Sequence, residues 1–462
     1  MSRPNYFDAM DYPAMIAEYG RPGDFEARFA RLSRDELRSL QNTRFLRLMA
    51  FAWKVPFYRR LWAAKGLEPG DIRSIEDIAK LPTYSKSDLM ASVEAHPPLG
   101  DFSGREAYDA DRRPPLIFQT TSGTTGRPQP LLYGPKSREL QNLMLARTYA
   151  LQGMTADDIV HSVYGHGMVN GGHYVRESVS HWIGAQFMSA GTGLETRSIQ
   201  QVNIMKEFGA TVIVGFGDYI KRLSDVAREA GLEPGVDIPV RMISGHLGAE
   251  SRESMSKAWG GAAVYDWYGV GDTGLIAGEA KDMAGLYVHE DMQLLEVLDI
   301  ETGQPVPDGD EGDMVVTCLY KDDLFPIIRF NTHDVTAFRT DSSPLGLQLR
   351  RISGFLGRSD NMVKLRGINI YPTGIGAILI ESFPELASEY ICVVDRVDGK
   401  DDMTVRIEAR SGHGNSTQAY EKLLKTRLGV EISVQLEPLG ALVDITQIEK
   451  RQKPIRLLDR RA

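Results

Sequence analysis

Hydroxyl residues and glycines cluster in one short segment, TTSGTTG at 120–126, directly after the strand-like run LIFQT. Glycines let a backbone approach an anion closely, and hydroxyls and main-chain N–H groups donate hydrogen bonds to phosphate oxygens. A P-loop would need Gly-Lys followed by Ser or Thr, but Gly126 is followed by Arg127 and Pro128. The segment therefore predicts either a phosphate-binding loop of another class or a plain solvated turn.

The composition narrows the classes of partner. The chain has 462 residues, a formal net charge of -9 and 42% hydrophobic residues, as expected for a globular protein of several domain-sized units. Its acidic balance argues against nucleic acid or an anionic membrane as the main partner and favours a small molecule. The two cysteines, Cys318 and Cys392, lie in apolar runs and predict buried thiols rather than a disulfide framework or a zinc site.

No segment predicts a membrane or export function. The start, MSRPNYFDAMDYPAM, lacks a basic stretch followed by an apolar one, and no apolar run approaches the roughly 18 residues of a membrane span. We therefore expect a cytoplasmic protein without a membrane partner. The sequence leaves the oligomeric state open, a homodimer included.

Hydrophobic periodicity predicts the helices and strands that could position the hydroxyl-rich loop. The first hundred residues predict short helices separated by Pro and Gly stops. From Leu116 onward, apolar runs such as TVIVGF (211–216) and RMIS (241–244) alternate with amphipathic helical stretches such as 137–152 and 218–230. This alternation predicts an α/β domain with a buried sheet.

The chain is predicted to divide near the segment from Gly357 to Asn361. Before it, DMVVTCLY alternates like a half-buried strand. After it come two strand-like runs, a helix at 418–428 and another strand, which is the pattern of a small α+β domain. We therefore predict an N-terminal domain at 1–357 and a C-terminal domain at 362–462.

Several segments, in order, resemble motifs of the adenylate-forming superfamily. They are the loop TTSGTTGRP, the adenine-loop-like YDWYGVGDTG (265–274), the ribose-motif-like RFNTHD (329–334) and the hinge-like GRSDNMVKLRG (357–367). The segments VPFYRRLWAAKGL, DIAKLPTYSKSDL, YGHGMVNGGH and GAE, with the tail KPIRLLDRR, are similar to the phenylacetate-CoA ligase branch. The resemblance implies a large α/β N-terminal domain with layered sheets and a small, mobile α+β C-terminal domain.

The same resemblance implies an ATP-dependent carboxylic acid:CoA ligase that uses Mg²⁺. A carboxylate would attack the α-phosphorus of ATP, pyrophosphate would leave, and the thiol of CoA would then attack the acyl-AMP. The substrate is its own nucleophile, so catalysis would depend on positioning and charge stabilisation. Two alternatives stay open: an enzyme that loads a carrier protein, and a catalytically silent nucleotide-binding relative.

By this resemblance, most nucleotide contacts can be assigned to numbered residues. Those to the β- and γ-phosphates would come from Ser122, Gly123, Thr124, Thr125 and Gly126, with Thr121 and Arg127 as neighbouring candidates. Those to adenine would come from Gly248, Ala249, Glu250, Asp266, Tyr268 and Gly269. Asp334 would accept both ribose hydroxyls, since a carboxylate is an acceptor-only group, and Arg358 would make a second ribose or phosphate contact.

Two positions depart from the family pattern. Asp272 follows Gly271 where relatives usually have Thr or Ser and then Glu; its shorter carboxylate is the candidate Mg²⁺ ligand. In the tail, Lys453 matches the catalytic lysine that bridges the carboxylate and the α-phosphate. The usual preceding glycine is replaced there by Gln452, and Lys450 is a nearby rival.

The remaining assignments concern the moving domain and the acid. Asp360 matches the hinge about which the C-terminal domain rotates, and Lys364, Arg366 and Gly367 belong to the turn that approaches CoA. The acyl group would be lined by Tyr164, Gly165, His166, Gly172 and Tyr219, with Gly171, His173 and Phe216 adjoining. Two histidines and a tyrosine make this lining more polar than a benzyl group requires. An aromatic or arylacetic acid and a small hydroxylated acid therefore both stay open.

Overall fold

The computed structural model describes residues 3–121, 128–247, 251–366, 368–397, 400–410, 417–448 and 454–461. The N-terminal region is helical, as predicted. Its helices are α1 (Tyr12–Tyr19), α2 (Phe25–Arg28), α3 (Arg34–Ala52), α4 (Pro56–Ala63) and α5 (Lys86–Ala95). Short 3₁₀ segments lie at Pro22–Asp24, Ile75–Lys80 and Gly104–Ala107. The start of α3 shows why a helix begins there, because Ser33 and Glu36 form a reciprocal capping box.

A mixed sheet forms the centre of the N-terminal domain. Its parallel strands are β3 (Ile159–Ser162), β4 (Gln186–Ser189), β5 (Val212–Phe216), β6 (Met242–His246) and the start of β7 (Ala263–Val270), in the spatial order β7-β6-β5-β3-β4. Antiparallel β8 (Gly274–Gly278), β9 (Leu286–Val288) and β13 (Arg351–Ile352) extend it beyond β7. The side chains from Val212 to Val214 are fully buried, as expected for strands covered on both faces.

Helices connect these strands. They are α6 (Pro135–Gln152), α7 (Asn170–Glu177), α8 (Ser198–Phe208), α9 (Gly217–Glu229) and α10 (Arg252–Ala258), with a π-helical turn at Ser178–Ile183. The predicted alternation of apolar strands and amphipathic helices is therefore confirmed as an α/β fold. Helix α6 has the most buried environment: even Arg138 and Arg147 are enclosed.

Two smaller sheets complete this part of the fold. The hairpin β1 (Ile117–Thr120) and β2 (Pro130–Tyr133) pairs Thr120 with Pro130 on either side of the hydroxyl-rich loop. The second sheet is antiparallel, with order β10 (Gln293–Leu298), β11 (Glu311–Cys318), β12 (Phe330–Ala337) and β14 (Gly357–Arg358). In its last pair Asp334 lies opposite Arg358.

The C-terminal region is α+β. It contains β15 (Val363–Leu365), β16 (Ile368–Ile370), α11 (Pro372–Ser382), β17 (Leu386–Val397), β18 (Lys400–Ala409), α12 (Gln418–Leu428), β19 (Ser433–Pro438), α13 (Val443–Thr446) and β20 (Leu457–Asp459). The main sheet has the order β19-β18-β17-β20. Its apolar side chains form a core of their own, between residues 363 and 434. The C-terminal tail forms an edge strand beside β17, which the sequence did not predict.

Both cysteines are free and buried, as predicted. Within the described ranges, no helix is both long enough and apolar enough to cross a bilayer.

Candidate active site

Predicted site residues meet at the carboxyl ends of the parallel strands. Tyr164 follows β3, Phe216 ends β5, His246 ends β6, and Asp266 and Tyr268 lie on β7. Open α/β sheets bind ligands at this edge because the loops that leave the strands there converge. The fold therefore brings the predicted adenine and acyl segments to one place, although more than one hundred residues separate Tyr164 from Tyr268.

The predicted adenine and ribose residues form one hydrogen-bonded group. The Tyr268 hydroxyl donates to Asp334 Oδ2, and Arg358 Nη1 donates to Asp334 Oδ1 over 2.8 Å. Arg358 also binds Asp360 through Nε at 2.7 Å and Nη2 at 2.5 Å. The Tyr268 ring lies nearly parallel to that of Phe355, with centroids 6.0 Å apart. This group places the predicted hinge residue one side chain away from the predicted ribose acceptor.

Burial sets the protonation of this group. It raises the pKa of Tyr268 well above its usual value, and the charge of Asp334 adds to the effect, so the phenol remains a donor. Burial alone would lower the pKa of Arg358, but the bond to Asp360 and the charge of Asp334 raise it. A phenol and a guanidinium thus both stabilise the Asp334 carboxylate, whose oxygens act only as acceptors.

Asp266, the predicted acceptor for the adenine amino group, lies beside a second carboxylate. Glu279 Oε2 accepts from the Asp266 backbone N–H at 2.7 Å, and Glu279 Oε1 binds Arg252 Nη2 at 2.7 Å. Burial and then the charge of Glu279 raise the pKa of Asp266 to about 7. Asp266 therefore titrates near neutral pH. The sequence did not single out Glu279 or Arg252, because neither lies in the motif that contains Asp266.

Gly269, the last predicted adenine residue, permits a tight approach of two strands. A Cβ at this position would lie 2.3 Å from the carbonyl oxygen of Gly274 on β8. The β7–β8 pairing also shifts register between Tyr268 and Gly269. A larger residue would therefore push β8 away from the adenine segment.

Asp272, the candidate metal ligand, is buried and tied to the base of the hydroxyl-rich loop. Its Oδ1 accepts from Gln129 Nε2 at 2.6 Å, and burial raises the pKa of its carboxyl. Gln129 in turn pairs with Thr121: the two backbones bond at 3.0 Å, and the Gln129 N–H donates to Thr121 Oγ1 at 3.1 Å. The two ends of the loop and the acidic candidate ligand thus form one connected unit.

Three side chains hold the backbone around Asp272. The Tyr133 hydroxyl donates to the Gly271 carbonyl at 2.6 Å, Lys321 Nζ to the Asp272 carbonyl at 2.6 Å, and the Tyr320 hydroxyl to the Thr273 carbonyl at 2.8 Å. We call this the 271–273 clamp. The Lys321 ammonium is fully buried and lies 5.0 Å from the Tyr133 ring centroid; burial lowers its pKa. Tyr133 ends β2, whereas Tyr320 and Lys321 follow β11 in another sheet. The sequence gave no local signal that these three donors would meet.

The predicted acyl segment forms the edge of an aromatic cluster. The ring centroids of Tyr164 and Phe216 are 5.2 Å apart, those of Phe216 and His246 are 5.3 Å apart, and those of His246 and Trp267 are 4.3 Å apart. Gly172 packs against this segment so closely that a Cβ there would lie 2.3 Å from the Gly165 carbonyl. Neither His246 nor Trp267 was assigned a role from the sequence, although His246 ends β6 and Trp267 lies on β7 inside the adenine-loop-like motif.

His166 and Tyr219 lie at the margin of this cluster. The His166 backbone N–H donates to Glu195 Oε1 at 3.1 Å, and its ring lies 5.6 Å from that of His173. Burial, then the nearby His173, lower the pKa of His166, so the imidazole is neutral at physiological pH. The Tyr219 hydroxyl is 2.9 Å from Ser198 Oγ. The structure thus places both in the acyl region, and their contact with substrate stays a prediction.

The predicted CoA residues form surface ion pairs in this arrangement. Lys364 Nζ lies 2.8 Å from Glu301 Oε1, and Arg366 Nη1 lies 3.4 Å from Glu431 Oε2. Arg366 has a φ of +51°, a left-handed conformation that is uncommon outside glycine. These contacts leave their proposed role toward CoA untested.

Several predicted positions lie outside the described residues. They are Ser122, Gly123, Thr124, Thr125, Gly126, Arg127, Gly248, Ala249, Glu250, Gly367, Lys450 and Lys453. Thr121 and Pro128 border the first segment, and Leu247 and Ser251 border the second; these four residues are described. Among the described residues, no cluster of three or more His, Cys, Asp or Glu side chains forms a metal site.

Comparison with known proteins agrees with this geometry. The family model described as the AMP-binding enzyme C-terminal domain matches residues 367–461. A phenylacetate-coenzyme A ligase from Aromatoleum evansii is 31% identical over 463 residues, covering 95% of this chain and 98% of that protein. The chain belongs to the phenylacetate-CoA ligase branch of the adenylate-forming superfamily. A second such ligase, from Thermus thermophilus, is 29% identical and covers 82% of each chain.

Solved structures share the fold of this family member. A 2-hydroxyisobutyryl-CoA ligase in its postadenylation state, 24% identical, superposes with a TM-score of 0.80 over 94% of this chain and 91% of that one. The same ligase in its thioesterification state, 26% identical, has a TM-score of 0.66 with the same coverage. This chain therefore superposes better on the postadenylation structure of that ligase than on its thioesterification structure.

Proposed function

We propose that the protein is an ATP-dependent carboxylic acid:CoA ligase. In the first step a substrate carboxylate oxygen bonds to the α-phosphorus of ATP and pyrophosphate leaves. In the second, the sulfur of CoA bonds to the acyl carbon, AMP leaves and the thiol proton passes to solvent. The main support is the Tyr268, Asp334 and Arg358 group beside the aromatic cluster. The chain also aligns with nearly the full length of a phenylacetate-coenzyme A ligase.

The described residues have distinct proposed tasks. Tyr268 stacks on adenine, and Asp334 accepts from the ribose hydroxyls while Arg358 holds its other oxygen. Asp266 accepts from the adenine amino group. The aromatic cluster surrounds the hydrocarbon part of an acid, which is aromatic, arylacetic or small and hydroxylated. None of these side chains transfers a proton, because the substrate carboxylate is already a nucleophile, so the site acts through positioning.

The donor set fits Mg²⁺ bound together with ATP. Mg²⁺ usually takes one or two protein carboxylates and completes its shell with water and phosphate oxygens. Asp272 offers one such carboxylate, and Gln129 orients it next to the hydroxyl-rich loop. When bound, Mg²⁺ would neutralise charge on the phosphates. The 271–273 clamp would keep the aspartate in place.

The C-terminal region supplies the proposed moving part. We assign residues 1–357 to the ATP- and acyl-binding domain, 358–361 to the hinge and 362–462 to the mobile domain. The separate apolar core of residues 363–434 supports this division. Lys453 would stabilise the α-phosphate in the first step, and Lys364, Arg366 and Gly367 would approach CoA after rotation about Asp360. We also propose a cytoplasmic location, where ATP and CoA are available.

A screen of the two half-reactions tests this function. Carboxylate-dependent exchange of pyrophosphate into ATP measures the first step, and CoA-dependent AMP release measures the whole reaction. We expect both with at least one acid from an aryl, arylacetic and short hydroxy acid panel. Exchange without thioester formation from free CoA would favour a carrier-protein acceptor, and no exchange with any acid would favour a catalytically silent relative.

A further inference from the structure

Asp218, next to the predicted acyl residue Tyr219, has a buried side-chain oxygen without a hydrogen-bond partner among the described residues. It is the second residue of α9 and follows Phe216 of the aromatic cluster by two positions. Its Oδ1 is closed to solvent and accepts no hydrogen bond in the described part of the chain. Leaving such an atom unpaired generally costs about 1–3 kcal/mol. An unpaired carboxylate oxygen beside the predicted acyl segment therefore suggests that its partner arrives with the substrate.

Two other buried polar atoms in this region also have no hydrogen-bond partner among the residues that the structure describes. They are Trp267 Nε1 and His166 Nε2. With Asp218 they lie on or just after β7, β3 and β5, at the edge where the aromatic rings cluster. A pocket for a purely hydrocarbon group would have no use for these atoms, because each must give up its hydration without compensation.

The cation whose charge lowers the pKa of Asp218 is already engaged. Arg456, in the C-terminal region, interacts electrostatically with Asp218, as does Glu389 with the opposite sign. Arg456 Nη1 lies 2.6 Å from Glu389 Oε1 and 2.7 Å from the Tyr390 carbonyl oxygen, and its guanidinium lies 4.5 Å from the Tyr390 ring centroid. Arg456 is therefore held by its own domain and leaves Asp218 available.

We propose that Asp218 determines specificity by accepting a hydrogen bond from a hydroxyl group of the acyl substrate, so that the preferred acid is a hydroxylated carboxylic acid. This inference rests on the proposed ligase function. A site built to pair with a substrate hydroxyl discriminates strongly against the analogue that lacks it, because the protein atom is then left unpaired. The aromatic rings would hold the rest of the acid.

A hydroxyl suits this position better than an ammonium group. An ammonium would bring a second positive charge to a carboxylate that already faces Arg456, and like charges close together are unfavourable. A hydroxyl donates one hydrogen bond without adding charge. Burial also raises the pKa of the Asp218 carboxyl above its usual value, which weakens its preference for a cationic partner.

Matched acid pairs test the proposal. CoA-dependent AMP release would be measured for phenylacetate against mandelate, phenylacetate against 4-hydroxyphenylacetate, and isobutyrate against 2-hydroxyisobutyrate. For at least one pair, we expect kcat/KM of the unmodified protein to favour the hydroxy acid by about 10- to 150-fold, the range of one hydrogen bond to a charged group. Phenylglycine beside mandelate tests ammonium against hydroxyl at one position.

Variants then assign the preference to Asp218. Asp218→Ala should reduce the hydroxy-to-deoxy ratio to about one while keeping turnover of the deoxy acid, which also shows that the variant folds. Asp218→Asn keeps a carbonyl acceptor and should retain part of the ratio. The matched control is Asp225→Asn, on the same helix, where the carboxylate pairs with Lys221 at the surface; the ratio should not change.

Three outcomes would overturn the proposal. They are activity without any hydroxy preference, a preference that survives in Asp218→Ala, and a preference for phenylglycine over mandelate. Equal losses for both acids of a pair in Asp218→Ala would instead assign Asp218 to domain contact. Absence of AMP release with every acid is a different result, since it would remove the ligase function itself.

Discussion

Replacing Lys321 by Met removes the central donor of the 271–273 clamp. Its Nζ donates to the Asp272 carbonyl at 2.6 Å from a fully buried position. Methionine has a similar length and fills the same apolar space, but it cannot donate. Tyr133 and Tyr320 would still hold the carbonyls of Gly271 and Thr273, so the change isolates the residue that bears the candidate metal ligand.

The expected magnitude follows from two opposing contributions. An unpaired buried carbonyl costs about 1–3 kcal/mol, whereas removing a buried ammonium relieves a desolvation penalty of several kcal/mol. The free energy of unfolding should therefore change little. The local cost falls on the backbone of Asp272, so we expect affinity for Mg²⁺ and ATP together to fall by about 5- to 100-fold.

Two measurements check whether Lys321→Met weakens the binding of Mg²⁺ and ATP and, with it, only the first half-reaction. Binding of ATP in a Mg²⁺ titration, followed by calorimetry, reports affinity without turnover. Pyrophosphate exchange and thioester formation from preformed acyl-AMP report the two half-reactions, and only the first should weaken. Lys321→Gln, which keeps an N–H donor, should recover part of the loss. The matched control is Lys136→Met, which removes a bond to Asp322 without contacting the clamp.

An unchanged Mg²⁺ dependence in Lys321→Met would refute the reasoning. So would equal losses in both half-reactions, because the clamp would then stabilise the fold rather than place Asp272.

Three further predictions concern the other parts of the site. Lys453→Ala should abolish adenylation and spare thioester formation from preformed acyl-AMP, with Lys450→Ala as the control; equal loss of both half-reactions would contradict the role. Tyr268→Phe removes the donor to Asp334 but keeps the ring. The free energy of unfolding, measured by thermal melting, should fall by about 1.5–3 kcal/mol, and the KM for ATP, measured by pyrophosphate exchange, should change less than about tenfold. A rise in KM of about a hundredfold would contradict this role of the hydroxyl. Asp266→Asn tests the raised pKa of about 7: because this lies above the unfolded value of about 3.9, the folded protein loses stability as pH rises from about 4 to 7. The variant lacks this loss, so its advantage over the unmodified protein in urea unfolding should grow by about 1–3 kcal/mol from pH 5 to pH 8, and a constant difference would refute the assignment.

Much of the fold could be predicted because its signals are local. The alternation of apolar runs and amphipathic stretches after Leu116 involves residues that are close together in the sequence. The capping box at Ser33 does so as well. The C-terminal edge strand at 457–459 was missed because its partner, β17, lies more than sixty residues away. An edge strand of three residues has too few positions for a periodic pattern.

The motif residues of the site could be named for the same reason. Tyr268, Asp334 and Arg358 lie in segments that resemble family motifs, and the fold then joined them through hydrogen bonds. Gln129, Lys321 and Trp267 could not be assigned roles in this way. Their significance comes from a contact with a distant segment or from a missing partner, and neither is visible in the residues beside them.

Local sequence was sufficient for the α/β class, the family motifs and the type of chemistry, since periodicity and motif spacing depend on adjacent residues. Strand order and register decided the rest. They brought Gln129 to Asp272 across 143 positions and Lys321 to Asp272 across 49. They also left the Asp218 Oδ1 buried without a hydrogen-bond partner in the described part of the chain. Such contacts depend on how separate elements pack. The tertiary structure alone therefore shows how Asp272, the candidate metal ligand, is held in place, and that Asp218 Oδ1 has no hydrogen-bond donor among the described residues.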